Sequence, residues 1–205
     1  MKRQIIIVIA VLAIASLGLR FLAKGNDSVV LSEFEVATFA GGCFWCMEAA
    51  FEAVEGVAES ISGYSGGIEV NPTYEQVSRG ETGHLEAVQV YYDPDVVSYE
   101  ELVDVYWRNI DPTDDGGQFF DRGRQYKTAI FYHDESQRVI AESSKERLDA
   151  SGRFDAPVVT KILGFTSFYE AEEYHQDYYK KRVLNYELYS TGSGRKQFLE
   201  EHWDE

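Results

Sequence analysis

The chain has 205 residues, 44% of them hydrophobic and 14% aromatic, enough to bury the core of one domain of ordinary size. It holds 35 acids against 19 bases, a net charge of -16. A surface so acidic is repelled by a phosphate backbone, which excludes nucleic acid as a partner.

Residues 1–25 differ from the rest. They hold four bases and no acid, and Lys2 and Arg3 precede an apolar run from Ile5 to Leu19 that Arg20 interrupts before Phe21, Leu22 and Ala23. This reads as a signal sequence or signal anchor. The run of 15 residues is shorter than the roughly 20 that span a bilayer, but Arg20 can snorkel and lengthen it. The A-x-A-like site Ala13-Ile14-Ala15 lies too early for a full apolar region, so a retained anchor is favoured over a cleaved signal. The expected location is therefore extracytoplasmic and membrane-anchored, with a secreted or periplasmic form after cleavage as the alternative. In either place disulfides can persist. Residues 26–33 read as a polar linker and residues 34–205 as one domain.

Residues 34–40 alternate and are rich in aromatic and β-branched types, a strand pattern that runs into Gly41-Gly42. Phe44, Met47, Phe51 and Val54 then recur at helical spacing until Gly56. Residues 57–62 read as a strand, and 63–73 as a long loop with three glycines and a proline. A strand over Leu85–Tyr92 is closed by Asp93-Pro94, and Ser98 with Glu101 forms a capping box that opens a helix through about Ile110. Residues 111–125 form a Gly- and Asp-rich loop, followed by a strand at 128–132, a helix at 134–150, a strand at 157–163 and a helix at 168–183. This order of elements suggests an α+β or α/β layered domain.

Both cysteines, Cys43 and Cys46, stand three positions apart where the first helix begins. A helix N-terminus lowers a cysteine's pKa through its free N–H groups and dipole, and the thiolate is the nucleophile. Cys43 is thus expected to attack and Cys46, one turn further in, to resolve the product as a disulfide. Two such cysteines also fit inert core residues, a fixed structural disulfide, half of a zinc site, or a thioredoxin-like dithiol exchanger. His84, His133 and His175 share no ligand spacing, so no metal is assigned.

Six segments in this order, GGCFWCMEAAF, GYSGG, NPTYEQV, GHLEAVQVYYDP, DRGRQYKTAIFYH and AEEYHQDYY, resemble the A-type peptide methionine sulfoxide reductases, in a variant that carries CxxC. The likeness runs from about Ala37 to Tyr179. It implies an α+β domain of two layers, a ferredoxin-like mixed sheet with helices and long active-site loops. It also implies thiol-dependent reduction of (S)-methionine sulfoxide, in oxidised proteins, in peptides or free. Cys43 would attack the sulfoxide sulfur, and Glu86, near the start of an apolar strand, would protonate the oxygen, burial having raised its pKa. Tyr74 and Tyr126 match tyrosines that hydrogen-bond that oxygen, and Phe44 and Trp45 the apolar cradle of the substrate methyl group. Asp121 and Tyr178 match supporting positions. The oxidised Cys43 would condense with Cys46. Many relatives place resolving cysteines in a C-terminal tail; residues 192–205 hold none here, which predicts a single Cys43–Cys46 bond reduced by an external thioredoxin-like dithiol. The expected state is a monomer with no bound cofactor.

Overall fold

A computed structural model describes residues 30–203. The signal or anchor segment and the first part of the linker lie outside the described residues. No helix among the described residues is long and apolar enough to cross a membrane.

Strand β1 (Glu35–Gly41) lies at the middle of a six-stranded sheet with β2 (Val57–Ser65), β3 (Leu85–Tyr92), β6 (Thr128–Tyr132), β7 (Lys161–Gly164) and β8 (Phe168–Glu170). The order is β7-β6-β1-β3-β2-β8, antiparallel except for the parallel β6–β7 pair. A separate hairpin, β4 (Gly117–Gln118) and β5 (Asp121–Arg122), interrupts the loop expected over 111–125. This is the mixed-sheet α+β domain that the sequence suggests.

The helices follow from the same local signals. Helix α1 (Phe44–Glu52) buries Phe44, Met47 and Phe51, at the spacing that places side chains on one face. Helix α2 (Tyr74–Ser78) begins with a capping box between Thr73 and Gln76. Helix α3 (Tyr99–Trp107) begins with the expected one: Glu101 N–H donates to Ser98 Oγ and Ser98 N–H to Glu101 Oε2. Asp134 caps α4 (Glu135–Ala150). The main core joins these helices to one sheet face, where Phe39 stacks on Phe51 and Tyr106 at 4.8 and 5.2 Å between ring centroids. A smaller cluster of Ala40, Leu85, Ala87, Ala129 and Phe131, covered by Phe165 and Phe168, fills the other face.

Three elements depart from the sequence reading. The helix expected over 168–183 is mostly absent: Phe168–Glu170 is an edge strand paired with Gly63–Ser65, and only α5 (Tyr178–Lys181) is helical before Val183. Long-range pairing outweighs local pattern here. The Gln176 amide accepts from Ser62 N–H at 2.9 Å and donates to Ser62 O and Ala171 O at 2.8 Å, tying the segment to β2 instead of winding it. Strand β2 accordingly extends to Ser65, three residues into the expected loop. Gly63 permits this, because a Cβ there would strike the Phe168 ring and the Tyr169 carbonyl. The strand expected over 157–163 shortens to β7, since Val159 N–H turns to Pro112 O. Beyond α5 the chain continues as α6 (Val183–Gly192) and α7 (Arg195–Trp203).

Candidate active site

Gly41-Gly42 turns the chain from β1 into α1 and seats Cys43 at the helix N-cap. Gly42 has φ +82°, and a Cβ on it would lie 2.5 Å from Gln118 Cβ. Only glycine lets the β4–β5 hairpin approach so closely. Gln118 holds that approach, accepting from Asp111 N–H and donating to Asp111 O, both at 2.8 Å.

The hairpin, α1, α2, β3 and α6 surround a cavity of about 150 Å³ lined by Cys43, Phe44, Trp45, Tyr74, Glu86, Asp121, Tyr126 and Tyr189. Seven of these eight are residues that the sequence singles out. Glu86 is 2% exposed, and its Oε2 accepts from Phe44 N–H at 3.1 Å. Burial pushes its carboxyl up to about 8, against that hydrogen bond, with Asp121 adding to the rise. Tyr74 is fixed through its N–H to Glu172 Oε1 at 3.0 Å, and the other oxygen of Glu172 accepts from Tyr64 OH at 2.8 Å. Burial and the nearby Glu86 raise the phenols of Tyr74 and Tyr126, which therefore stay protonated donors. Trp45 Nε1–H donates to His175 Nδ1 at 3.2 Å. Tyr178 is not among the lining residues; it stacks on Trp45 at 3.8 Å and 9° and supports the wall from outside.

The thiols differ from the expectation in charge. Burial raises Cys43 well above the ordinary thiol value, and Cys46 and Glu86 add to the rise. Cys46 is drawn down to about 7 by the hydrogen bond from Cys43, with Arg195 and Tyr186 assisting against burial. Burial outweighs the helix N-terminus at Cys43, and the nearest N–H, that of Phe44, goes to Glu86. Both thiols are free and buried. Cys46 lines a second cavity, of about 500 Å³, with Asn109, Tyr186 and Arg195.

The family model described as peptide methionine sulfoxide reductase matches residues 35–205. The chain belongs to the peptide methionine sulfoxide reductase family. It is 57% identical over 171 residues to the peptide methionine sulfoxide reductase MsrA of Bacillus pumilus, covering 83% of this chain and 96% of that protein. The MsrA of Listeria innocua is 57% identical over 169 residues, 82% of this chain and 96% of the relative. Among solved structures, Mxr1 of Saccharomyces cerevisiae in reduced form matches with a TM-score of 0.66 at 32% identity, over 73% of this chain and 86% of that one. Methionine sulfoxide reductase A of Corynebacterium diphtheriae matches with a TM-score of 0.66 at 34% identity, over 73% and 76%. The chain is accordingly a peptide methionine sulfoxide reductase, and its fold is that of these enzymes.

The sequence reading of the reductase missed Tyr189, Tyr186 and Arg195. Tyr189 donates its hydroxyl to Asp121 Oδ2 and also meets Cys43, joining the two across the cavity. Arg195, 5% exposed, donates to Gly41 O at 3.0 Å and to Asn109 O. Its charge thus reaches the thiol pair from α7. No spacing signals these residues. The only hint is an arginine and two tyrosines in a tail without cysteines.

Proposed function

We propose that Cys43 attacks the sulfur of (S)-methionine sulfoxide, in proteins, in peptides or free, while Glu86 donates a proton to its oxygen. The oxygen passes to the Cys43 sulfur, giving the sulfide and a sulfenic acid. Tyr74 and Tyr126 hydrogen-bond that oxygen, neutral donors that stabilise developing charge without becoming counterions, and Asp121 supports the site through Tyr189. Phe44 and Trp45 hold the methyl group. Cys46 then attacks the sulfenic sulfur, releasing water and forming the Cys43–Cys46 disulfide. An external thioredoxin-like dithiol reduces it, since the sequence holds no third cysteine.

One observation carries this reading: a buried carboxyl raised to about 8 shares a small cavity with a thiol and two phenols. Such a group is protonated at neutral pH and can act as an acid. The test is an assay on the two separated sulfoxide epimers with a thioredoxin-like reductant. Dithiol-dependent loss of the S form alone, abolished in Cys43→Ser, supports the reading, and turnover surviving in that variant refutes it.

We further propose that the protein is exported and held by residues 1–25, for which the basic start and apolar run speak. Mass spectrometry of the mature N-terminus tests this, and a soluble form starting near residue 25 would contradict it.

A further inference from the structure

Helix α1 carries Glu48 and Glu52 on one face, and the loop before α5 brings Asp177 to them. Asp177 sits in the left-handed region at φ 53° and donates its N–H to Glu48 Oε1 at 3.0 Å. One oxygen from each of the three carboxylates lies within 4.8 Å of the others. They border a cavity of about 260 Å³ whose wall also carries Glu59, Ser60 and Glu170.

Glu48 is 1% exposed, and its Oε2 has no hydrogen-bond partner among the described residues. The Ser60 hydroxyl, on the neighbouring strand β2 and 2% exposed, is equally unpartnered, and the buried Ser62 hydroxyl faces only Glu48, whose burial it eases. Buried oxygens at a carboxylate-lined cavity are unfavourable without a positive ligand. Lys180, half exposed, pairs with Glu52 and Asp177, Tyr179 OH donates to Glu52, and Lys181 lies 3.9 Å from Asp177, but none of them bonds Glu48 Oε2.

We propose that Glu48, Glu52 and Asp177, assisted by Ser60, bind a hard divalent cation, calcium by preference. The donors are all oxygen, which favours calcium or magnesium over zinc. Calcium takes oxygens at about 2.3–2.6 Å, so the ligand oxygens of one ion lie within about 5 Å of one another, as these three do. Magnesium demands a regular octahedron and keeps its waters, which flexible carboxylates do not impose. The rival occupant is a proton, because burial and then Glu52 and Asp177 push Glu48 up to about 7. The sequence reading assigns no metal, and no spacing motif encodes this site: its ligands are drawn from one helix and from a loop far along the chain.

The ion would tie α1 to the residue preceding Tyr178, which stacks on Trp45. It would thereby stiffen one wall of the reductase cavity, a consequence that rests on the proposed function; binding itself does not.

The test uses the full chain stripped with EDTA and titrated calorimetrically with calcium chloride at about pH 8, where Glu48 is ionised. One calcium per chain and a raised melting temperature are expected, with magnesium chloride binding about tenfold more weakly. Glu48→Gln and Asp177→Asn should each weaken binding about tenfold or more, Lys180→Ala should tighten it, and Glu146→Gln should leave it unchanged. If Glu48→Gln does not fold, Asp177→Asn decides, since asparagine tolerates the left-handed conformation. No heat and no thermal shift at millimolar calcium would overturn the proposal in favour of the proton, as would unaltered binding in Asp177→Asn. Calcium should also lower KM for the sulfoxide with kcat unchanged. An inactive protein that still binds calcium would sink the catalytic reading and leave the cation site standing.

Discussion

Replacing Glu86 by glutamine separates the stability of the active site from its chemistry. The native carboxyl titrates near about 8 against an ordinary 4.5, so the folded state holds its proton over a range where the unfolded chain has released it. Stability from this group is therefore full below about pH 4.5 and is lost as pH rises to about 8. At about 1.4 kcal/mol per pH unit the interval amounts to about 5 kcal/mol, a ceiling that local relaxation reduces. Glutamine fills the same space, accepts from Phe44 N–H and carries no charge to desolvate. The variant should match the parent in stability at about pH 4.5 and exceed it by about 2–5 kcal/mol at about pH 8.5. Its turnover should fall about 10²–10⁴-fold with the loss of the acid, and the parent's rate should decline above about pH 8. Urea unfolding at the two pH values and epimer-resolved turnover measure both effects. Equal stability differences at the two pH values would refute the burial argument. A variant retaining half the parent rate would refute the role of the acid.

Cys46→Ser should give one equivalent of sulfide per enzyme in a burst, with slow turnover thereafter; undiminished steady-state rate with a thioredoxin-like reductant would remove Cys46 from the cycle. Arg195→Met should raise the pH midpoint of Cys46 alkylation by about 1–3 units, as removal of a neighbouring opposite charge does, because Arg195 helps to draw Cys46 down; mass-mapped iodoacetamide labelling of Cys43→Ser with and without Arg195→Met reads it, and an unmoved midpoint would rule out the charge effect. Gly42→Ala should destabilise the fold by about 2–5 kcal/mol, combining a left-handed alanine with a close approach to Gln118, and a melting curve unchanged from the parent would show that the turn relaxes freely.

What the sequence reveals of this protein depends on how local each cause is. Strand β1, the Ser98–Glu101 box and helix α4 are set by residues close to one another in the chain, and they form where expected. Cys43, Glu86, Tyr74 and Tyr126 are distant in sequence but stand in ordered motifs, and they meet in one cavity. The edge strand β8 is hidden because its partner, Gly63–Ser65, precedes it by about a hundred residues and itself opens a glycine-rich segment with a loop's composition. Tyr189 and Arg195 were hidden for the same reason: their value lies in contacts with Asp121 and Gly41, not in any pattern of their own segment.

The expectation that failed at Cys43 points to how the site divides charge. A helix N-terminus has few free donors, and across the sheet Glu86 takes the one on Phe44. Buried, and with Glu86 beside it, Cys43 remains a neutral thiol and donates toward Cys46, whose ionised form Arg195 and Tyr186 favour. In the proposed cycle this assignment suits each sulfur's task. Cys43 needs its electrons freed only when a sulfoxide oxygen is present to receive the Glu86 proton, so a neutral resting thiol resists stray oxidants, which attack thiolates. Cys46 has the opposite task. A sulfenic acid must be captured before it is oxidised further, and an attacking thiol is most effective when its pKa lies near the ambient pH. In that cycle the lower pKa on Cys46 would keep the substrate-facing sulfur quiet and the capture fast.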